Sequence, residues 1–265
     1  MGSLPDGSAQ RLNQQAAWVN LEKSWHPWQE PILNPRGPPK NRFDFYGDQD
    51  QPAFMHELLS QFERAKADLT QMAETAGQTP ELIEQLLEGL QAKKARVKFG
   101  CGKVLCLIGQ QHPELLYPRF SRFVELLDEP NKILQWQAIL ILSHLAQVDT
   151  EDRFAAIFDR YFAPIRGPVM ITAGTIMAGA ARMARARPEW ADRIAGQLLH
   201  VSRARYATPE CRNVAIGHAL KSLAEFFPLL RDPTPVLRFV GRHRRNPRPA
   251  VRQKAESFRK KYAAH

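Results

Sequence analysis

The sequence predicts an all-α protein: a right-handed α-solenoid of about five helical hairpins, preceded by an N-terminal capping helix and a Pro/Trp-rich extended arm. Three observations support this class. From Pro52 onward, apolar residues recur at spacings of three and four, which is the periodicity of amphipathic helices. No segment alternates apolar and polar residues as a half-buried strand does. Helix-starting signals also recur at a nearly constant interval, which is typical of stacked repeats.

Composition limits the classes of protein that the chain can form. The 265 residues are 44% hydrophobic, which is enough for a core and excludes global disorder. No stretch approaches the roughly 18 apolar residues that a membrane-spanning helix needs. The first residues lack the basic and apolar regions of a signal peptide. Three cysteines without a CxxC pair indicate reduced, buried thiols, and we therefore expect a cytoplasmic protein.

Residues 1–51 are predicted to form an extended arm, separate from a solenoid over 52–265. The segment holds six prolines up to Pro39, and proline at this density prevents helix continuation. Its tryptophans are candidate anchors, because aromatic side chains at this density are unusual in disordered tails and common in interfaces. They dock either on the folded body or on a partner. The candidate docking residues are Trp18, Trp25 and Trp28.

A capping helix is predicted over 52–76, followed by helical repeats over 80–263. The inward face of the capping helix comprises Phe54, Leu58, Phe62, Leu69 and Met72. A solenoid needs such a cap because its terminal repeat has no neighbour to cover its apolar face.

Repeats follow from the recurrence of helix-starting signals. These stand at Pro113, Thr150, Pro188 and Pro228, so that successive signals are 37, 38 and 40 residues apart. Proline suits the first helical turn, where its missing N–H is not needed. The first unit, between Pro80 and Pro113, is compressed to 33 residues.

The segment before each signal repeats one apolar face at positions i, i+4, i+8 and i+11. We call this face the seam. Its successive copies are Val97, Cys101, Leu105 and Ile108; Leu134, Ala138, Leu142 and Leu145; Thr172, Ile176, Ala180 and Met183; Arg212, Ile216, Leu220 and Leu223; and, less tightly, Val251, Ala255, Phe258 and Tyr262. Each unit is therefore predicted to be two antiparallel helices. The inner helices are expected at 94–111, 132–147, 169–186, 209–226 and 248–262.

Three segments carry a resemblance to the HEAT-repeat family, an α-solenoid of stacked helical hairpins in the armadillo-like superfamily. They are ARVKFGCGKVLCLIGQQHPELL, ILQWQAILILSHLAQVDTED and CRNVAIGHALKSLAEFFP. The resemblance covers about residues 80–263, and an armadillo or other helical-hairpin array is the nearest alternative. The resemblance to the HEAT-repeat family implies a non-catalytic scaffold that recognises a protein partner through a concave surface lined by the inner helices.

Two motif-like stretches are not expected to carry chemistry. GCGK at 100–103 lacks the first glycine and the final hydroxyl residue of a phosphate loop, because Val97 and Val104 stand there. His56 begins a zinc-protease-like motif that lacks its second histidine. No catalytic residue, cofactor or metal is predicted. Several glycines are instead expected to permit close helix packing: Gly100, Gly102, Gly174, Gly179 and Gly217.

One enzyme family shares the expected architecture, the alkylpurine DNA glycosylases built from HEAT-like repeats. That family pairs a tryptophan with an aspartate one turn later. Here Trp136 is followed four residues on by Leu140, and Trp190 by Ile194. Neither Asp149 nor Asp192 lies one helical turn after a tryptophan. A glycosylase is therefore the least favoured function.

Positive charge is concentrated at the C-terminal end of the chain. Residues 231–265 contain eleven Lys and Arg against two acids, whereas the first 230 contain 26 basic and 25 acidic residues. Because guanidinium groups bind phosphate through charge-assisted hydrogen bonds, nucleic-acid or other polyanion binding is the alternative function. The candidate anion- or partner-binding residues are Arg238, Arg242, Arg244, Arg245, Arg248, Arg252, Lys254 and Arg259.

Overall fold

A computed structural model describes Phe62 and residues 68–262, apart from the side chain of Pro80. The chain divides into two units, Met1–Asp50 and Gln51–His265, and every described residue belongs to the second. The predicted arm, its three tryptophans (Trp18, Trp25 and Trp28) and the motif at His56 lie outside the described residues. Within the described range, every regular element is a helix, which confirms the predicted all-α class.

The described helices follow one another with short loops between them. Their bounds are α1 Leu69–Gln78, α2 Pro80–Gly89, α3 Ala95–Gln111, α4 Pro113–Leu116, α5 Phe120–Glu125, α6 Lys132–Leu145, α7 Arg153–Phe162, α8 Met170–Ala186, α9 Ala191–Leu199, α10 Pro209–Phe226, α11 Thr234–His243 and α12 Pro249–Tyr262. Short 3₁₀ turns flank the helices; they are Tyr117–Arg119, Leu126–Asp128, Ala163–Arg166, Pro188–Trp190, His200–Arg203 and Phe227–Leu229.

These helices pair into five hairpins after α1, as the sequence predicts. We call the first member of each hairpin its first partner; in chain order the first partners are α2, the two short helices α4 and α5 together, α7, α9 and α11. We call the second members the second helices; they are α3, α6, α8, α10 and α12. They correspond to the predicted inner helices, and each bound agrees within two residues. Consecutive second helices pack directly on one another along the whole stack, so that they form its tightly packed layer.

The predicted seam is the centre of this layer. In α3, for example, Val97 is 5% exposed and Cys101, Leu105 and Ile108 are fully buried. The equivalent residues of the other second helices are also buried, with one correction. Arg212 was predicted in the seam and is instead exposed. It lies in the first turn of α10, where its charged group stays in water rather than paying the free energy of desolvation.

The predicted bounds of the capping helix are wrong at Asp68, where the structure interrupts the helix. One continuous helix over 52–76 does not form, because the Asp68 backbone is extended and a helix begins at Leu69. The Asp68 carboxylate accepts hydrogen bonds from the N–H groups of Thr70 and Gln71 at 3.0 and 3.1 Å. Aspartate is a favourable N-cap residue for this reason, since it satisfies donors that the first helical turn leaves unpaired.

Close packing explains three of the five predicted glycines. A Cβ atom at Gly100 would lie 2.5 Å from the Phe62 ring, and one at Gly102 would lie 1.9 Å from the Gln137 amide oxygen. At Gly179 it would lie 2.6 Å from the Cβ of Ser143. The remaining two have more room. The nearest atoms to such a Cβ are 4.0 Å away at Gly174 and 3.4 Å away at Gly217.

Asp149 fixes the loop between the second and third hairpins. Its side chain is fully buried. The carboxylate accepts hydrogen bonds from the Tyr117 hydroxyl at 2.7 Å and from the N–H groups of Arg153 and Phe154, both at 2.9 Å. The Arg187 guanidinium, from the next loop along the stack, donates to the Asp149 carbonyl oxygen at 3.0 Å. One carboxylate therefore holds the start of α7 and the turn after α4 together.

We expect Asp149→Ala to lower the free energy of unfolding by about 3 kcal/mol, because three donors lose their acceptor inside the protein. Asp128→Ala is the matched control, since Asp128 is 76% exposed on its side chain and Arg160 is its one ion-pair partner among the described residues. We expect the control to lose about 0.5 kcal/mol or less. Urea denaturation measures both, and equal effects would contradict the role of Asp149.

We expect Gly179→Ala to destabilise the protein by about 1–3 kcal/mol, because α6 and α8 must separate to admit the methyl group. Gly196→Ala in α9 is the control, since a Cβ there has no atom within 4 Å. It should stabilise the protein by about 0.5–1 kcal/mol through the better helix propensity of alanine. Thermal unfolding compares the two; a stabilising Gly179→Ala would show that the second helices are not in close contact there.

Candidate functional site: the face of the second helices

Charge is sorted between the two layers of helices. The five second helices carry thirteen Lys and Arg against three Glu. The first partners with their 3₁₀ turns (80–89, 113–128, 153–166, 188–203 and 234–243) carry nine basic and nine acidic residues. The basic residues of the second helices are Arg96, Lys98, Lys103, Lys132, Arg182, Arg185, Arg212, Lys221, Arg252, Lys254, Arg259, Lys260 and Lys261. The excess of positive charge therefore lies in the second helices and not in the first partners.

The three acids of the second helices are all held in ion pairs with arginine. The pairs are Glu210 with Arg248, Glu225 with Arg185 at 3.3 Å, and Glu256 with Arg244 and with Arg259 at 3.3 Å. Each of these carboxylates therefore neutralises a neighbouring arginine. The lysines of the second helices form no ion pair in the part of the chain that the structure describes.

Long polar side chains reach from one second helix over a glycine of the preceding one. Gln137 of α6 lies over Gly102 of α3 and donates its amide N–H to the Phe99 carbonyl oxygen at 3.0 Å. Lys254 of α12 lies over Gly217 of α10, and its ammonium donates to the Gly217 carbonyl oxygen at 3.1 Å. The two arrangements occupy equivalent repeat positions. The glycines thus make room for polar groups on the layer's face.

A cluster of nitrogen groups lies where α10 meets α12. Burial, and then the charges of Lys254 and Lys221, lower the pKa of His218 to about 4. Burial also lowers the pKa of Lys254, with Lys221 and Arg248 adding to the effect. His218 is therefore neutral near pH 7, and the two lysines repel each other. An anion bound beside them would relieve this repulsion.

Arg182 of α8 extends the cationic face toward the middle of the stack. Its guanidinium donates to the Ser143 hydroxyl at 2.6 Å. Burial lowers the pKa of Arg182 to about 10, so that it remains charged at neutral pH. The neighbouring His144 is 7% exposed, and its Nδ1 has no hydrogen-bond partner among the residues that the structure describes. Burial, and then the charge of Arg182, hold the pKa of His144 well below its usual range.

The first two second helices have a more apolar face. Phe99 and Leu107 of α3 are half-buried, as are Trp136 and Leu140 of α6. The Trp136 indole N–H donates to the Thr172 hydroxyl at 2.9 Å, which fixes the ring across α6 and α8. Half-buried apolar side chains therefore accompany the cations of α3 and α6, which are Arg96, Lys98, Lys103 and Lys132.

The eight residues predicted at the C-terminal end separate into three groups. Arg244, Arg248 and Arg259 form ion pairs with carboxylates. Arg252 and Lys254 donate to backbone carbonyl oxygens. The others have no ion pair in the described part of the chain, and they line a depression beside α11: Arg238, Arg242 and Arg245.

Sequence reasoning missed Arg182 of α8, and it missed that His218 and Lys221 lie near Lys254. His218 and Lys221 are in α10, more than thirty residues from Lys254, and they approach it only because α10 and α12 stack. A comparison of the total charge of the predicted inner helices with that of their partners is the signal that points to this layer.

The other predicted features have structural roles. GCGK lies inside α3, and burial raises the pKa of the Cys101 and Cys106 thiols to about 12. Trp190 is buried beneath the Arg187 guanidinium, 4.4 Å from its ring centre. Asp192 accepts the N–H groups of Arg231 and Asp232. Among the described residues no three His, Cys, Asp or Glu side chains form a metal-binding group, and no helix there is long and apolar enough to cross a membrane.

Five stacked helical hairpins with a continuous seam define the class of the protein: an all-α helical-repeat fold, or α-solenoid. Two solved structures are similar to the chain. A designed armadillo repeat protein matches 77% of this chain and 98% of its own at 16% identity, with a TM-score of 0.43. An engineered protein matches 80% of this chain and 98% of its own at 13% identity, with a TM-score of 0.46. The comparisons with family models and with curated proteins return no match.

Proposed function

We propose that the protein is a non-catalytic helical-repeat scaffold that binds an acidic segment of a protein partner on the face of the second helices. The observation that carries this proposal is the sorting of charge, with thirteen basic residues against three acids in the second helices and nine against nine in the first partners. A surface with one sign of charge attracts a partner of the opposite sign and accelerates its association.

The local electrostatics favour a carboxylate-rich partner. Lys221 and Lys254 stand close enough to lower the pKa of Lys254, and Arg182 is desolvated without a carboxylate bonded to it. Carboxylates bound here would form charge-assisted hydrogen bonds, which are stronger than bonds between neutral groups. Such bonds gain further strength where the cation is already partly removed from water.

The apolar end of the face adds a second requirement. Trp136 and Leu140 present half-buried apolar surface beside the cationic region. Tryptophan is a frequent energetic anchor of protein interfaces. We therefore expect a bipartite partner segment, with apolar residues against α3 and α6 and acidic residues against α8, α10 and α12. The free thiols of all three cysteines suit a reducing compartment such as the cytoplasm.

Affinity capture on the full chain tests this proposal, with nuclease present throughout to remove nucleic-acid bridging. We compare the wild type with a second-helix variant (Arg182→Gln, Lys221→Gln and Lys254→Gln). The variant should lose its captured partners by at least about tenfold, because charged hydrogen bonds contribute about 1.5–3 kcal/mol each. The captured proteins should contain acidic segments that bind the purified chain as synthetic peptides.

A matched control loses three positive charges from the first partners and their 3₁₀ turns: Arg122→Gln, Arg160→Gln and Arg203→Gln. It should retain the wild-type partners. Circular dichroism and thermal unfolding verify that both variants are folded. Equal losses in the two variants would show that net charge, and not the face of the second helices, is responsible. Partners that remain bound to the second-helix variant would contradict the proposal directly.

A further inference from the structure

We propose that a basic depression between α11 and α12 binds backbone phosphates of nucleic acid without reading base sequence. This inference is independent of the protein-binding face. The depression has a volume of about 660 Å³. Its lining residues are Arg238, Gly241, Arg242, Arg244, Arg245 and Glu256.

Three of its four arginines are exposed and have no ion pair within residues 68–262. Arg238 and Arg242 lie one turn apart on α11, so that their side chains leave the same side of the helix. Arg245 follows in the loop after α11. Hydrogen bonds from Thr234, and then the charge of Arg238, lower the pKa of Asp232, which forms no ion pair with Arg238. Placing three unneutralised guanidinium groups around one depression is unfavourable by itself, and an anion in the depression would offset their repulsion.

The depression also leaves room for an anion to approach. Gly241 lies in its wall, and a Cβ atom there would have no neighbour within 4 Å. Guanidinium groups suit phosphate in particular, because their planar forks donate two parallel hydrogen bonds to two phosphate oxygens. Several such forks in one place match the regularly spaced phosphates of a nucleic-acid backbone.

The lining argues for backbone contact rather than base recognition. Among the described residues no aromatic side chain lines the depression, so that part of the chain offers it no surface on which unpaired bases stack. Contacts to phosphates fix position but carry no sequence information. The ligand that fits is therefore a duplex bound through its backbone.

The same helix disfavours a membrane surface. The apolar side of α11, formed by Val236, Phe239 and Val240, is buried in the core. Leu237, which precedes Arg238 in the chain, is 43% exposed and is the one large exposed apolar side chain of the described residues. An interfacial helix needs a whole apolar face to insert into lipid. One leucine does not supply such a face.

Glu256 acts as an internal competitor for the depression. Its carboxylate accepts from Arg244 at 2.5 Å and from Arg259 at 3.3 Å. The bond from Arg244, together with the Arg259 bond and charge, lowers the pKa of Glu256, so that it stays ionised near neutral pH. It therefore holds Arg244 away from a ligand and repels bound phosphate. Removing its charge should make Arg244 available as a fourth phosphate contact.

Fluorescence anisotropy with a short labelled DNA duplex of mixed sequence tests the proposal on the full chain. Affinity should fall with salt, with a slope of about −3 in log K against log salt, since each phosphate contact contributes about −0.9. A depression variant (Arg238→Gln, Arg242→Gln and Arg245→Gln) should bind at least about tenfold more weakly, and its slope should lose about three units. A second duplex of unrelated sequence should bind equally well.

Two further variants make the result specific. The control Arg122→Gln, Arg160→Gln and Arg203→Gln removes the same charge from other hairpins and should bind the duplex as the wild type does. Glu256→Gln should strengthen binding and steepen the slope by about one unit. Adding Arg244→Gln to it should remove that gain, whereas Arg244→Gln in the wild type should have little effect.

The outcomes separate the possible ligands. No duplex binding at low salt, or equal weakening in the depression and control variants, overturns the proposal. Stronger binding to vesicles of anionic phospholipid than to the duplex assigns the depression to a membrane surface and overturns it as well. The proposal is also overturned if a synthetic polyglutamate peptide binds the depression more tightly than the duplex binds it. An unchanged affinity for Glu256→Gln contradicts the role given to that residue.

Discussion

The structure depends on one constraint: a helical hairpin has an apolar face that it cannot bury by itself. Each second helix meets this constraint by packing on the second helices before and after it. At Gly179 a Cβ atom would lie 2.6 Å from the Cβ of Ser143, so α6 and α8 approach this closely only because a glycine stands there. The loops are held by the same stacking, since Asp149 and Arg187 join groups from successive hairpins.

This packing determines which surface can carry a function. The seam uses one side of each second helix, and the positions on its other side remain free to carry polar groups. Gln137 and Lys254 occupy such positions and extend over glycines of the preceding helices. Lys221 and Lys254 of neighbouring second helices are thereby close enough for Lys221 to lower the pKa of Lys254, after the effect of burial. The fold thus concentrates positive charge in the layer of second helices, while the first partners stay balanced.

Sequence reasoning predicted the helices better than the site. Apolar periodicity and the recurring prolines define each second helix within two residues, because both depend only on near neighbours in the chain. Asp68 and Arg212 depart from the pattern, since a cap and a charged side chain in a first turn override apolar spacing. The basic C-terminal run gave only part of the candidate site. Distant carboxylates neutralise some of its arginines: Glu210 lies 38 residues from Arg248 and is bonded to it.

The account's central claim is that the cationic face of the second helices binds an acidic segment. Acetylation of individual lysines, followed by mass spectrometry on the full chain with and without a synthetic polyglutamate peptide, tests it most directly. Lys93 is the internal control, because it is exposed and lies in the loop between α2 and α3, outside the second helices. The account predicts that the peptide protects Lys221 and Lys254 well above this control. Equal protection of all three lysines, or protection of none, would contradict it.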